Sequence, residues 1–133
     1  MEVKDPGHHY LLDQLDQVSG WVSERGELKF VKRTGDNFPG NEGTGYAGTT
    51  TQEVLRALID RTRYVVNQKP HPQNHIATTH LRCALYALEE RAAEVRGEDM
   101  KKWRQHHIKA IGRIEEVQTC DWCGHIGCTR KHE

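Results

Sequence analysis

The sequence lacks the features of a secreted or membrane-spanning protein. It has no run of the about 18 apolar residues that a bilayer requires, and no N-terminal apolar run of signal-peptide length. A surplus of basic charge is also missing, because 19 lysines and arginines balance 19 aspartates and glutamates. We therefore expect a cytosolic chain of 133 residues with a modest core, no membrane contact and no surface suited overall to duplex nucleic acid.

Arrangements typical of catalysis are missing as well. No Ser-His-Asp or Cys-His order stands out, and no pair of carboxylates is set apart from ordinary helix-face charge. The four cysteines would lie in a reducing compartment, where a disulfide framework is disfavoured and metal binding or plain thiols are favoured. These observations predict a binding protein rather than an enzyme.

Segment 49–97 dominates the sequence and predicts two amphipathic helices. Thr50 precedes Glu53 by three residues, a capping box that marks the start of the first helix. The prolines of segment 69–72 end that helix, because each lacks a backbone donor and disfavours helical backbone in the residue before it. A second apolar stripe runs on to Gly97, a residue type common just after a helix end. We expect the two helices to form a long antiparallel hairpin.

The residues before this hairpin predict only a short β element. The leucines between positions 11 and 15 are compatible with a short helical turn. Segment 21–33 contains two runs of strand-forming residues separated by Arg25-Gly26, which predicts a β-hairpin that turns at this dipeptide.

The predicted fold class is thus α+β and mainly helical. It comprises the N-terminal β element, the helical hairpin, a third short helix and a zinc-knuckle-like tail. In domain terms, we expect a ligand-binding core over 1–98, the third helix over 99–118 and the knuckle over 119–133.

The second helix carries a wider apolar arc than one neighbouring helix covers. Beside its main stripe lie Ile76, Cys83 and Ala87. Either the rest of the chain or a second copy must pack there, so we expect a homo-oligomer.

A glycine-rich loop leads into the first helix. Its spacing Gly43-x-Gly45-x-x-Gly48 matches the dinucleotide fingerprint only formally, since no βαβ unit surrounds it. A more general expectation remains, namely that free backbone N–H groups near Thr49 and Thr50, at the start of a helix, receive an anionic group.

The C-terminal 14 residues predict a structural zinc site. Cys120, Cys123, Cys128 and His132 have the spacing C-x2-C-x4-C-x3-H, which suits tetrahedral zinc. His125 is the alternative fourth ligand, and three free thiols on a tail are the alternative to a site. With all four ligands supplied by the protein, the zinc would be structural.

The segment before the knuckle is the only basic patch. Five basic residues and no acidic one lie between Lys101 and Arg113, with Trp103 among them. This pattern is typical either of the solvated face of a packed helix or of a small zinc-containing module that binds nucleic acid or protein. Overall, nucleic acid is not the expected partner.

The hairpin carries a recognisable combination of residues. It contains Gly48-Thr49-Thr50 followed by Glu53-Val54-Leu55, then Leu58-Ile59-Asp60-Arg61, Tyr64, Asn74, Ala77, Thr79, Leu81, Ala84-Leu85 and Arg91. With these residues, segment 45–97 resembles the helical hairpin of phage anti-defence proteins that act as sponges against the Thoeris and CBASS immune systems. The resemblance is to the Thoeris type in particular, and it does not extend to the cysteine-rich tail.

This resemblance implies a function that the composition alone does not. Proteins of that family are small oligomers that sequester cyclic nucleotide-type signals without cleaving them. Their ligands are cyclic ADP-ribose isomers and, in some members, cyclic oligonucleotides. The resemblance therefore implies a dimer or hexamer that acts in the host cytoplasm.

The same resemblance selects Tyr64, Asn74 and Arg91, with Arg61 and Arg96 nearby, as ligand-binding residues. Tyr64 points away from the apolar stripe of its helix, where it is available to stack on a purine. Arg91 offers a guanidinium fork to phosphate, and Asn74 offers both a donor and an acceptor. The alternatives are that Tyr64 covers a loop, that Arg91 pairs with a carboxylate such as that of Glu94, and that Asn74 caps the second helix.

Overall fold

The computed structural model describes residues 1–18 and 20–99. Three strands precede two helices: β1 (Glu2–Asp5), β2 (His9–Leu15), β3 (Trp21–Lys29), α1 (Thr51–Gln68) and α2 (Pro72–Val95). The chain divides between Thr51 and Gln52 into two compact units. The first is called the sheet unit and the second the helical unit.

The sheet unit is a three-stranded antiparallel sheet with β2 in the centre. Tyr10 of β2 lies opposite Val3 on one side and Leu28 on the other. Its ring also meets Phe30 edge-to-face, with the centroids 6.1 Å apart, a geometry that aromatic quadrupoles favour. The strands are joined by turns that contain Gly7 and Gly20, whose positive φ angles of 76° and 97° suit glycine.

This sheet contradicts the predicted fold class in its N-terminal third. The leucines between positions 11 and 15 belong to a strand rather than a helical turn, and segment 21–33 is not a hairpin, because β3 runs straight through Arg25-Gly26. Gly26 pairs with Leu12 in the centre of the β2–β3 ladder. A Cβ atom at this position would lie 2.8 Å from the Gln14 amide nitrogen. This glycine therefore marks a close approach of a neighbouring side chain, not a turn.

The helix boundaries lie at residues that favour the start or the end of a helix. α1 begins directly after Thr50. α2 begins at Pro72, a residue favoured at the first helical position, and the Gln73 amide donates to the ring of the capping residue His71. Gly97 follows the end of α2 with φ of 67°, and the Glu98 amide donates to the Ala93 carbonyl over 2.9 Å. This bond completes a Schellman motif, with glycine at the position that the sequence predicts.

The core of the described chain lies between the two helices. Ile59 of α1 and Leu85 of α2 are buried against each other, and Leu55, Leu81 and Tyr86 pack around them. Near the start of α1, Arg56 forms an ion pair with Glu89, which lies near the end of α2. The helices therefore run in opposite directions. A residue of α1 and a residue of α2 that lie at the same height along the pair have numbers that add up to about 145. Within the described residues no helix is long and apolar enough to cross a membrane.

Candidate functional site

Two residues of the predicted site, Arg61 and Tyr64, lie close together on the exposed side of α1. Tyr64 is 56 % exposed, and the Arg61 guanidinium carbon lies 6.0 Å from the centroid of its ring. Five residues separate Tyr64 from Ile59, which places its ring about 140° round the helix from the buried face. The sequence-based prediction that Tyr64 faces away from the core is confirmed. We call these two side chains the Arg61–Tyr64 platform.

Asn74 and Arg91 lie on α2 and Arg96 caps its end, so none of the three is on the helix that carries the platform. Asn74 is half-buried in the first turn of α2, where its carbonyl accepts a hydrogen bond from the Thr78 hydroxyl at 2.8 Å. It is not the helix cap, because His71 occupies that position. Arg91 is exposed in the last turns of α2, and Arg96 is the exposed C-cap residue.

The helical unit does not bring the predicted residues into one pocket. The antiparallel pairing of Arg56 with Glu89 sets Arg91 level with about residue 54 of α1. Tyr64 lies ten residues further along that helix, a distance of about 15 Å along its axis. Arg91 and Tyr64 of one helical unit are therefore too far apart to hold the same phosphate-and-purine group together.

The backbone at Thr49 is not a free anion donor. The Thr49 amide donates to the Lys29 carbonyl at 2.8 Å, and its own carbonyl accepts from the Val31 amide at 2.9 Å. Gly48 makes this pairing possible, since a Cβ there would lie 2.4 Å from the Phe30 carbonyl carbon. The glycine spacing of this loop thus serves a close backbone approach. Thr50, also in the sheet unit, is exposed and has an interaction of its own.

A half-buried polar cluster fixes the same loop to the sheet. Tyr46 donates its hydroxyl to Asp5 at 2.6 Å, and the ammonium of Lys32 lies 2.9 Å from the same carboxylate oxygen. Desolvation and this hydrogen bond raise the pKa of Tyr46 to about 12. The hydrogen bonds from Tyr46 and Lys32 lower the pKa of Asp5. Since each group satisfies the others, the cluster is best explained as structural.

A polar groove of the helical unit was not predicted from sequence. It is a groove between α1 and α2 with a volume of about 240 Å³. We call it the interhelical groove, and its lining residues are Arg63, Val66, Asn67, His75, Thr78, Thr79 and Arg82. The lining residues on α2 follow one another at intervals of three, one and three residues, which places them along one side of the helix. This spacing was the sequence signal from which the groove could have been predicted.

The predicted zinc ligands Cys120, Cys123, Cys128 and His132, the alternative His125 and the basic segment 101–113 all lie outside the described residues. Within residues 1–18 and 20–99, no three His, Cys, Asp or Glu side chains are grouped to hold a metal ion. Cys83, the described cysteine, is a free thiol, and burial raises its pKa. Zinc binding by the tail stays a prediction.

Known proteins offer no match to this chain. No protein-family model, no curated protein and no solved structure matches it.

Proposed function

We propose that this protein sequesters a cyclic nucleotide-type immune signal without changing it chemically. The ligand class is that of cyclic ADP-ribose isomers, with cyclic oligonucleotides as a further possibility, and the setting is the host cytoplasm. The proposal starts from the sequence resemblance of segment 45–97. It is supported by one structural observation, the exposed Arg61–Tyr64 platform.

The platform offers the two interactions that a nucleotide needs. The face of a tyrosine ring stacks on any purine, and such stacking contributes about 1–3 kcal/mol per base. A guanidinium beside the ring donates charge-assisted hydrogen bonds to phosphate. Because Tyr64 is already exposed and held by helix α1, binding requires little rearrangement of the protein.

The distance between Tyr64 and Arg91 gives a reason why the protein would bind its ligand as an oligomer. A small nucleotide on Tyr64 does not reach Arg91 of the same helical unit, since about 15 Å of helix separates them. In a dimer or hexamer, Arg91 of a second copy is able to approach the ligand. We therefore propose that the complete site contains residues from two chains.

Isothermal titration calorimetry with cyclic ADP-ribose isomers and with cyclic di- and trinucleotides tests the function. Tyr64→Ala is expected to weaken binding roughly tenfold to a hundredfold, while Tyr64→Phe retains the stacking surface and most of the affinity. Trp21→Ala is the matched control, because Trp21 is an aromatic residue of the sheet that is 72 % exposed. Mass spectrometry of the ligand released by denaturation should show an unaltered molecule.

Three results would contradict the proposal. The first is that none of these nucleotides binds to the wild-type protein. The second is that Tyr64→Ala and Trp21→Ala have equal effects, which would place the ligand away from the platform. Recovery of a cleaved ligand would show an enzyme instead of a sponge.

A further inference from the structure

The interhelical groove combines groups that favour an anion. Arg63 from α1 and Arg82 from α2 line it together with Asn67, His75 and the two threonines at positions 78 and 79. No Asp or Glu is among the described residues that line it. Two guanidinium groups that approach one cavity without a carboxylate in the lining create a positive potential.

The hydroxyl groups in the groove are oriented by the helix itself. Thr78 donates to the Asn74 carbonyl at 2.8 Å, and Thr79 donates to the His75 carbonyl at 3.1 Å. These bonds use the hydroxyl protons, so the threonines line the groove without acting as free donors. The donors that remain for a ligand are the guanidinium, amide and imidazole N–H groups of Arg63, Asn67 and His75.

The helix dipoles contribute little to this potential. The groove lies near the last turns of α1 and the first turns of α2, so a negative and a positive helix end are side by side. The first backbone amides of α2 are also occupied, since Asn74 donates to the His71 carbonyl at 3.0 Å. The arginine side chains are therefore the main source of positive charge.

The size of the groove limits what it holds. Its volume of about 240 Å³ is below the range of roughly 300–1,000 Å³ that is usual for sites that enclose a whole small molecule. A phosphate or pyrophosphate group fits this volume, and the remainder of a larger molecule would extend into solvent. An arginine fork matches the oxygen spacing of such a group.

We propose that the interhelical groove is a binding site for the phosphate or pyrophosphate group of a small phosphorylated molecule. The site is separate from the Arg61–Tyr64 platform, because neither platform residue lines the groove and Tyr64 is about 100° round the helix from Arg63. The proposal does not depend on the identity of the ligand at the platform.

Inorganic pyrophosphate is the probe, titrated into the full chain at constant ionic strength with chloride as the reference anion. Binding is followed by calorimetry and by the NMR signals of the arginine Nε–H groups and the His75 ring. Arg63→Ala is expected to weaken binding about tenfold or more, because it removes a charge-assisted pair of hydrogen bonds. Arg82→Lys keeps the charge of the half-buried Arg82, so it should weaken binding less than Arg63→Ala does.

Arg33→Ala is the matched control, since Arg33 is an exposed arginine of the sheet unit and its loss changes net charge by the same amount. Equal weakening by Arg63→Ala and Arg33→Ala would overturn the proposal, because binding would then reflect net charge alone. Pyrophosphate that leaves the His75 and Arg63 signals unchanged would also overturn it. So would loss of pyrophosphate binding in Tyr64→Ala, which would place the anion on the platform.

Discussion

Breaking the ion pair of Arg56 with Glu89 is predicted to destabilise the helical unit strongly. Glu89 is only 3 % exposed, and the side chain of Arg56 is 19 % exposed. Removing one member of a buried pair typically costs about 3–5 kcal/mol, because the other charge stays desolvated. A cost of this size is a large fraction of the roughly 5–15 kcal/mol that stabilises a whole domain.

The two single substitutions should differ in their effects. After Glu89→Ala, Arg56 remains partly exposed and still has Glu53 at 3.2 Å. After Arg56→Ala, the carboxylate of Glu89 remains in a position where its side chain is only 4 % exposed. We therefore expect about 3–5 kcal/mol for Arg56→Ala and about 2–3 kcal/mol for Glu89→Ala. Replacing both residues by methionine should recover most of the loss, because two apolar chains fill a similar volume without a desolvated charge.

Urea unfolding followed by circular dichroism at the helical band measures these differences. With a slope of about 1–3 kcal/mol per molar urea, a loss of about 3–5 kcal/mol in Arg56→Ala should lower the midpoint by about 1–5 M. Lys4→Ala is the control, since its pair with Glu2 is about half exposed on both sides and its loss should leave the midpoint unchanged. A midpoint for Arg56→Ala equal to that of the control would refute the reasoning. A double methionine variant less stable than either single variant would refute it too.

Three further predictions concern pH, metal and assembly. The contribution of Tyr46 to stability should be complete below pH 10.0 and be lost as pH rises through its folded pKa of about 12. In an absorbance titration, one tyrosine should ionise at a higher pH than an ordinary tyrosine, and Tyr46→Phe should remove that step. At the acid end, the lowered pKa of Asp5 means that its contribution is lost as pH falls below the ordinary aspartate range. Freshly reduced protein should contain about one zinc per chain by elemental analysis, and Cys120→Ser should abolish it. Light scattering at micromolar concentration should give a dimer or larger oligomer, which Ala87→Glu weakens; a monomeric mass would contradict this.

Periodicity predicted the helices but not which of their residues become buried. A helical apolar stripe over α1 would include Leu58, yet this side chain is 44 % exposed. Glu89, which no apolar pattern includes, is buried because Arg56 reaches it from the other helix. A stripe defines a broad side of a helix, whereas the line of contact depends on how two helices cross. That crossing is set by packing and is not encoded in either helix alone.

The sheet was harder to predict because its stability comes from residues distant in sequence. β2 is paired on both sides, and its alternating burial is weak, so local patterns there resemble a turn or a helix. Gly26 is an example. The dipeptide Arg25-Gly26 suggests a turn by itself, but Gly26 pairs with Leu12 of β2, which the local sequence does not reveal.

The interhelical groove was missed for a similar reason. Arg63 and Arg82 are 19 positions apart, and only the antiparallel packing of the helices brings them to one cavity.

Helix α1 supports three environments because successive residues are about 100° apart round its axis. Ile59 is buried against α2, Arg63 lies about 40° round and lines the groove, and Tyr64 lies about 100° further and is exposed. On a helix about 10–12 Å in diameter, that last step corresponds to about 10 Å of surface. Pyrophosphate is too short to span it, so its binding reports on the groove alone. A larger nucleotide that is weakened by both Arg63→Ala and Tyr64→Ala must instead extend over the side of α1, with its phosphates in the groove and its base on the platform.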